Sequence, residues 1–270
     1  MSAPFSFLTE YGSTEREPML FIRGLPADNA VPHLLGRTVE KVFIRGALRE
    51  RHVFAVGRPD AVPDNITMSA LADWYADLID ERFGGRVSLM GISTGSSVAL
   101  QVAVDHPDRV SALVIVAGAA TLGDQGREIQ SRYVRLLENR NHHAGVELSF
   151  ASLGIPGSER WGRLLVNPAP LPAYRKSLIA LVLAEETFDV VDRVNQITAP
   201  TLILAGGRDP FYPSSLARET VSRISNARLI VYPRASHVGL AFHPRFARDI
   251  GDFLHSLDHR DEGPMPHGAA

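Results

Sequence analysis

The sequence contains no cysteine, which excludes a disulfide framework, a thiolate metal site and a cysteine nucleophile. It also has no uncharged run close to the roughly 20 apolar residues that a membrane-spanning helix requires. Residues 1–18 carry several charges and lack the basic and apolar segments of a signal peptide. From these absences we expect a cytoplasmic protein with no membrane partner.

Charge of either sign is not in excess, because 28 Lys and Arg residues stand against 30 Asp and Glu residues. A formal net charge of −2 does not steer a protein toward nucleic acid, so we expect no nucleic-acid partner. The sequence also lacks a His/Cys ligand cluster, a P-loop and a dinucleotide-binding fingerprint. We therefore expect no metal and no other cofactor. The expected partner is a small-molecule substrate, and a homodimer stays open.

Six short, continuous apolar runs are typical of strands that are buried on both faces. They lie at residues 19–22, 53–56, 87–90, 112–116, 201–205 and 228–232. Between several of these runs, apolar residues recur at helical spacing, as Leu71, Trp74 and Leu78 do. This alternation predicts an α/β fold with a mostly parallel central sheet and helices on both faces.

Residues 118–198 break the alternation, because this stretch is too long for one crossover and contains no strand pattern. We predict that it is a helical cap inserted into a core formed by residues 1–117 and 199–257. Residues 258–270 are polar and rich in Gly and Pro, which predicts a disordered tail. Candidates for a pocket wall in the cap, for which simple packing is the alternative, are Trp161, Phe150, Leu153, Tyr133 and Leu181.

Gly91, Ser93 and Gly95 form a G-x-S-x-G pattern directly after an apolar run and directly before a helical pattern. The pattern alone is weak, because a chain of this length contains it by chance roughly one time in ten. Its position is more informative, since a strand-turn-helix elbow lifts the serine hydroxyl to the carboxyl edge of the sheet. We predict that Ser93 is a nucleophile, and the alternative is a glycine-rich turn.

A serine hydroxyl becomes an effective nucleophile when a base takes its proton and an acid orients that base. Asp209 and His237 each follow a predicted strand, so both are expected at the sheet edge that holds Ser93. Alone, the aspartate is explained by a turn before proline and the histidine by a surface loop, but the three loops together favour a triad. Asp124 is a reserve candidate for the acid.

The segments around these three residues resemble the alpha/beta hydrolase superfamily, in its cap-bearing branch of esterases, lactonases, C–C hydrolases and cofactor-free haloperoxidase-like enzymes. The likeness covers most of residues 19–257. It is carried by VSLMGISTGSSVALQVAVDHPDRVSALVIVAG, which resembles the family's elbow, and by APTLILAGGRDPFYP and ASHVGLAFHPRFARDIGDFL, which resemble its acid and histidine blocks. The resemblance implies the fold and the triad, but it does not imply the substrate.

In this fold the oxyanion of an intermediate is held by two backbone N–H groups, one after the nucleophile and one after an early strand. They are predicted at Thr94 and Leu25, and Gly24 lets the backbone approach the substrate closely. Arg23 replaces a histidine that is usual in the family, and Arg58 lies on the loop after the next predicted strand. Each arginine is expected either to bind an anionic group of the substrate or to pair with a local acid.

Two further departures from the family pattern concern Ser96 and the N-terminus. Ser96 stands where the family often has glycine, and the segment before Met19 is short for the usual pair of leading strands. We therefore expect the sheet to lack its first strand.

Three functions are compatible with these residues. The first is acyl transfer to water through an acyl-enzyme on Ser93, with an ester, lactone or thioester as substrate. The second keeps the triad and changes the chemistry to C–C bond hydrolysis or to a non-hydrolytic cyclisation or elimination. The third is a ligand-binding protein that has this fold and little turnover.

Overall fold

The computed structural model of the chain describes residues 8–25, 32, 34–59, 61–168 and 170–259. Within these residues, a seven-stranded sheet has the order β1-β3-β2-β4-β5-β6-β7. Its strands are β1 (Leu8–Tyr11), β2 (Pro18–Ile22), β3 (His52–Val56), β4 (Val87–Ile92), β5 (Val110–Val116), β6 (Thr201–Gly206) and β7 (Ala227–Tyr232). The β1 strand is antiparallel to β3, and the other neighbouring strands are parallel. The predicted sheet is confirmed.

Helices cover both faces of this sheet. They are α1 (Leu34–Ile44), α2 (Met68–Phe83), α3 (Thr94–Asp105), α4 (Asp124–Glu138), α5 (Ala144–Ala151), α6 (Ser158–Leu165), α7 (Arg175–Glu186), α8 (Ser214–Arg223) and α9 (Phe246–Asp258). Because consecutive strand residues point to opposite faces, Leu20 packs in the core that contains α2, α3 and α8 residues. Phe21 packs in the core that contains α1 and α9 residues. Burial on both faces explains the continuous apolar runs.

Helices α4 to α7 lie between β5 and β6, in the stretch for which the sequence predicts a cap. Their base is closed by an antiparallel bridge between Thr121 and Asp189. Next to it, the Val190 N–H donates to the Ala120 carbonyl at 2.9 Å. Tyr133, Leu137, Leu178 and Val182 are among the residues that pack α4 against α7. The helical nature of the stretch agrees with the sequence pattern, and the domain bounds at residues 118 and 198 stay a prediction.

Both ends of the chain differ in detail from the expectation. The described chain has one leading strand, β1, before β2, while residues 1–7 lie outside the description. The predicted tail at 258–270 begins too early, because Asp258 is the last residue of α9 and its carboxylate pairs with Arg51 at 2.6 Å. The rest of that predicted tail from residue 260 onward lies outside the described residues. Among the described helices, none combines the length and the apolar character needed to cross a bilayer.

Candidate active site

Ser93 occupies a sharp turn between β4 and α3. Its backbone has φ 56° and ψ −127°, a left-handed conformation that side-chain-bearing residues rarely adopt. The flanking glycines are sterically required. A Cβ atom on Gly91 would lie 2.7 Å from the Ser96 Cα atom, and one on Gly95 would lie 2.7 Å from the Arg23 carbonyl oxygen. The strand therefore turns directly into α3 and presents the Ser93 hydroxyl at the carboxyl edge of the sheet.

His237 connects Ser93 to Asp209. Its Nε2 atom lies 2.8 Å from the Ser93 Oγ atom, and its Nδ1 atom lies 2.7 Å from the Asp209 Oδ2 atom. If Nδ1 carries the proton and donates it to the aspartate, Nε2 is left to accept the proton of the serine. The structure thus brings together the three residues that the sequence nominated. Asp124 is exposed at the first position of α4 and does not take the place of Asp209.

The second carboxylate oxygen of Asp209 is also satisfied. It accepts the backbone N–H groups of Phe211 at 2.8 Å and of Tyr212 at 3.1 Å. The Asp209 side chain has no exposed surface, and the Phe211 ring centroid lies 4.7 Å from that of His237. These contacts favour one orientation of the carboxylate and of the imidazole, because a rotation of either group would break a hydrogen bond.

The acid loop and the histidine loop are joined by backbone hydrogen bonds. The Gly207 N–H donates to the Tyr232 carbonyl at 2.9 Å, and the Arg208 N–H donates to the Ala235 carbonyl at 2.9 Å. The loops approach so closely that a Cβ atom at position 207 would lie 2.8 Å from the Pro233 Cα atom. Because β6 and β7 are parallel neighbours, the loops leave the sheet at the same edge.

The loop after β2 lies directly against the serine. A Cβ atom on Gly24 would lie 3.0 Å from the Ser93 Cβ atom and 2.8 Å from the Ile92 carbonyl oxygen. Gly24, Leu25 and Thr94 line the same cavity as Ser93 and His237. The predicted oxyanion donors therefore border the serine, and their role in catalysis stays a prediction.

The cavity that contains Ser93 and His237, termed the main cavity for that reason, has a volume of about 510 Å³. Besides the loops, its walls come from α1, through Val39 and Phe43, and from α4 and α5, through Tyr133 and Leu148. Burial raises the pKa of Tyr133 to about 12, so its hydroxyl is neutral near pH 7. Helix α1 has no counterpart in the sequence expectation, and it supplies one side of the cavity. The cavity can hold a substrate with an apolar portion while the loops contact its reacting carbonyl.

Glu185, on α7, is a site residue that the sequence analysis missed. It is fully buried, with 0% of its surface exposed. Its carboxylate accepts hydrogen bonds from Thr94 Oγ1 at 2.7 Å, Ser97 Oγ at 3.0 Å, Gln130 Nε2 at 2.7 Å and Tyr212 Oη at 2.6 Å. Burial, and then the Glu185 charge, raise the pKa of Tyr212 well above its usual value. One carboxylate on the inserted helices therefore connects the elbow, α4 and the acid loop.

No sequence signal distinguishes Glu185, because a glutamate in a helix ordinarily faces solvent. Its neighbour Glu186 has the same side chain and accepts a hydrogen bond from Ser131 at 2.7 Å, away from the elbow. Consecutive residues of a helix point in different directions, so Glu185 faces the elbow while Glu186 does not. The packing of α7 against its neighbours decides which of the two faces inward.

The two arginines that the sequence nominated have different surroundings. Arg23 donates from Nε and Nη2 to the carboxylate of Glu40 and from Nη2 to the Thr9 hydroxyl at 3.1 Å. It therefore pairs with a local acid, which is one of the two expected outcomes. Arg58 has no such acid among the described residues, and its guanidinium lies 4.0 Å from the ring centroid of Tyr174. Asp60, next on the same loop, lies outside the described residues.

The expectation that Trp161 lines the pocket is wrong. Trp161 is 64% exposed on α6 and borders neither the main cavity nor the small cavity beside Arg58. The reason lies in the next residue, Gly162, where a Cβ atom would lie 2.7 Å from the Phe150 ring. Position 162 therefore faces inward, and position 161, about 100° away around the helix, faces solvent. Of the other cap candidates, Tyr133 borders the main cavity and Leu181 the small one.

The departure at Ser96 has a local explanation. The Ser96 Oγ atom lies 2.8 Å from the carbonyl oxygens of both Gly91 and Val116, and it accepts the Val116 N–H at 3.2 Å. A Cβ atom at position 118 would lie 2.9 Å from this hydroxyl, so the serine fits because that position is Gly118. The hydroxyl therefore fastens the elbow to β5.

As for metals, the described residues contain no cluster of three or more His, Cys, Asp or Glu side chains that could hold an ion.

Known proteins resemble this chain in sequence. The sequence model described as the alpha/beta hydrolase family matches residues 19–249. A pimeloyl-(acyl-carrier protein) methyl ester esterase of Nitrosomonas europaea is 28% identical over 179 residues, which cover 61% of this chain and 69% of that protein. A 2-hydroxy-6-oxononadienedioate/2-hydroxy-6-oxononatrienedioate hydrolase of Cupriavidus pinatubonensis is 28% identical over 189 residues, covering 66% and 65%. The matched regions span about two thirds of each relative.

The fold also resembles solved structures. The enol-lactonase from Burkholderia xenovorans LB400 superposes with a TM-score of 0.74 at 17% sequence identity, and the match covers 92% of this chain and 96% of that one. At this identity the likeness concerns the fold alone.

Proposed function

Because this chain belongs to the alpha/beta hydrolase family and is a hydrolase, we propose that it cleaves its substrate through a covalent acyl-enzyme on Ser93. His237 serves as the general base and Asp209 as the acid that orients it. The single observation that carries the proposal is the continuous chain of contacts from the Ser93 hydroxyl through the imidazole to the aspartate, at 2.8 and 2.7 Å. The Ser93 end of this series of contacts lies in the main cavity, which is large enough for a small-molecule substrate.

In the proposed first step, His237 Nε2 takes the hydroxyl proton while Ser93 Oγ forms a bond to the carbonyl carbon of the substrate. The negative charge that develops on the carbonyl oxygen is stabilised by the backbone N–H groups of Thr94 and Leu25. As the intermediate collapses, the leaving group receives the proton from the imidazolium. Water then repeats the sequence, with the same histidine as base, and releases the acid product and the free serine.

The proposed substrates are esters, lactones or thioesters. An ester substrate is supported by the similarity to a protein named as a methyl ester esterase, and the largely apolar cavity wall suits an acyl chain. We also propose that α4 to α7 act as a cap, since α4 and α5 form part of the cavity wall. The cytoplasmic location and the homodimer stay predictions of the sequence.

A second candidate is hydrolysis of a C–C bond by the same residues. It is favoured by the similarity to a 2-hydroxy-6-oxononadienedioate/2-hydroxy-6-oxononatrienedioate hydrolase at 28% identity. The two candidates differ in the atom that leaves: an oxygen or sulfur leaving group departs with a proton on that atom, whereas C–C cleavage must place a proton on carbon. Product analysis in deuterated water distinguishes them, because only the second incorporates deuterium at a carbon of the leaving fragment.

The proposal is tested without a guessed substrate by treating the protein and its Ser93→Ala variant with a fluorophosphonate and measuring intact mass. We expect one adduct on the parent protein and none on the variant, because only an activated serine attacks the reagent rapidly. Ser222→Ala is the matched control and should label like the parent protein, since Ser222 lies on α8 with its hydroxyl bonded to the Glu219 carbonyl. Absence of labelling in folded protein would contradict the proposal and favour a ligand-binding protein.

A further inference from the structure

Arg58 carries a buried charge for which the described residues provide no hydrogen-bond partner. The residue is 8% exposed, and neither Nη1 nor Nη2 has a partner among the described residues. One face of the guanidinium is covered by the Tyr174 ring, with 4.0 Å between the guanidinium carbon and the ring centroid. A cation–π contact stabilises the charge but leaves the N–H groups, which lie in the guanidinium plane, without acceptors.

This situation contrasts with that of Arg23, whose side chain is also largely buried. Arg23 and Glu40 form an ion pair in which each side chain is 8% exposed, and the hydroxyls of Tyr11 and Thr9 complete the group. A charge in a low-dielectric environment is costly unless it is paired. Arg23 is neutralised by its own protein, whereas Arg58 is not neutralised by any described residue.

The unpartnered guanidinium lies beside a small cavity at the back of the candidate active site. This cavity has a volume of about 20 Å³ and is lined by Arg58, Leu71, Tyr75 and Leu181, together with the loop after β2 and the start of α3. It shares Gly24, Leu25 and Thr94 with the main cavity. The space next to Arg58 therefore adjoins the loop and the elbow that carry the predicted oxyanion donors.

Size and geometry restrict what the small cavity can accept. A single water needs about 10–15 Å³, so a cavity of about 20 Å³ holds one to two water-sized groups, which is about the space of the two oxygens of a carboxylate. A carboxylate head is small and planar, and it matches the two parallel N–H donors of a guanidinium. A phosphate or sulfate is tetrahedral and larger, and fits this space less well.

We propose that Arg58 binds a carboxylate on the substrate, so that the preferred substrates are hydrolysed at Ser93 and carry a free carboxylate elsewhere, as monoesters of dicarboxylic acids and lactones of hydroxy-dicarboxylic acids do. This inference rests on the proposed function for its chemical step, and on the unpartnered Arg58 beside the shared loops for its specificity. Binding supplies the acceptors that the protein lacks for Nη1 and Nη2.

The test compares substrates that differ only at the end of the acyl chain. The para-nitrophenyl monoesters of succinic, glutaric and adipic acid are compared with neutral para-nitrophenyl esters of equal chain length. We expect kcat/KM to favour the carboxylate-bearing ester for at least one chain length. Arg58→Met should lower this ratio about 10- to 100-fold, and Arg58→Lys should restore part of it.

The matched control is the double variant Arg23→Met/Glu40→Gln, which removes the ion pair between the loop after β2 and α1 and leaves the net charge unchanged. Its ratio of anionic to neutral kcat/KM should stay within about threefold of the parent value, since the paired Arg23 presents no net charge. The proposal is overturned if Arg58→Met leaves the ratio unchanged, or if the parent protein prefers the neutral ester at every chain length. The small cavity then binds only water.

A binding measurement separates this proposal from the proposed function. In the Ser93→Ala background, calorimetric titration measures the affinity for the same monoesters and for their neutral counterparts without turnover. Tighter binding of the anionic ester that is lost on adding Arg58→Met supports the carboxylate site even if Ser93 is not labelled by a fluorophosphonate. Equal binding of both esters contradicts the carboxylate site even if Ser93 is labelled. Should Arg58→Met not fold, loss of the preference in Arg58→Gln serves as the same readout.

Discussion

The strand-end loops and the inserted helices each bring one buried carboxylate to the candidate site, and the two carboxylates are used differently. Asp209, at the end of β6, contacts the imidazole that contacts Ser93. Glu185, on α7, contacts neither His237 nor Ser93 but accepts four hydrogen bonds from side chains around them. Asp209 therefore belongs to the proposed triad, whereas Glu185 positions the elements that hold the triad.

This difference teaches that the inserted helices are more than a wall over the cavity. Thr94, whose N–H is a predicted oxyanion donor, has its hydroxyl held by Glu185 at 2.7 Å. Tyr212, which follows Asp209, has its hydroxyl held by the same carboxylate at 2.6 Å. A displacement of α7 would therefore change the elbow and the acid loop together, because both donate to one group.

The largest effect is expected from Asp209→Asn. An amide cannot hold His237 in the same tautomer, so activity should fall about 10³- to 10⁴-fold with little change in the fold. The measurement is the rate of fluorophosphonate inactivation, or of ester turnover once a substrate is known. Asp124→Asn is the matched control and should retain activity within about twofold, because Asp124 is exposed on α4. A comparable loss in both variants would contradict the assignment of Asp209.

Glu185→Gln should have an intermediate effect on stability and on turnover. The amide nitrogen cannot accept the hydrogen bonds that one carboxylate oxygen accepts, so the free energy of unfolding should fall by about 2–4 kcal/mol. We also expect kcat to fall more than KM rises, because Thr94, whose N–H is a predicted oxyanion donor, loses part of its support from Glu185. Urea unfolding and steady-state kinetics measure the two effects.

Glu186→Gln provides the control for this change, since Glu186 is adjacent on α7 and bonds Ser131 instead of the elbow. Its effect on kcat should be less than about twofold. If Glu185→Gln lost stability but kept the parent kcat, the carboxylate would have only a structural role, and the connection to Thr94 would be wrong.

Gly91→Ala tests how closely the elbow itself is packed. The added Cβ atom would lie 2.7 Å from the Ser96 Cα atom, which is backbone and cannot move aside, so we expect a loss of about 1–3 kcal/mol or more. Gly145→Ala, on α5, meets nothing within 4 Å and should raise stability by about 0.5–1 kcal/mol through helix propensity. Thermal or urea unfolding distinguishes them, and equal effects would contradict the close packing of the elbow.

The smallest effect is expected from Trp161→Ser. Because this tryptophan is 64% exposed and borders neither the main cavity nor the small one, stability should change by less than about 0.5 kcal/mol, and KM by less than about twofold. Tyr133→Ala, which removes part of the main cavity wall, should alter KM clearly. A larger effect on KM from Trp161→Ser than from Tyr133→Ala would show that α6 closes over the substrate in solution.

Sequence reasoning recovered the central sheet because its signals are local. Each buried strand is a continuous apolar run, and all six predicted runs lie within strands of the sheet. The β1 strand was missed because four residues that include Thr9 and Glu10 form no such run. Helix α1 was missed as well, although it forms one side of the main cavity. Short or amphipathic elements depend on contacts that appear only after the chain has folded.

The sequence by itself determined which three loops meet, because parallel strands place their carboxyl ends at one edge and Ser93, Asp209 and His237 each follow such a strand. It could not decide between two neighbouring glutamates on α7 or between two arginines on neighbouring loops, since each pair is chemically identical. Tertiary structure decided both. Packing turns Glu185 inward, while Glu40 neutralises Arg23 and no described side chain neutralises Arg58. Partners distant in sequence set these surroundings, and no local pattern encodes them.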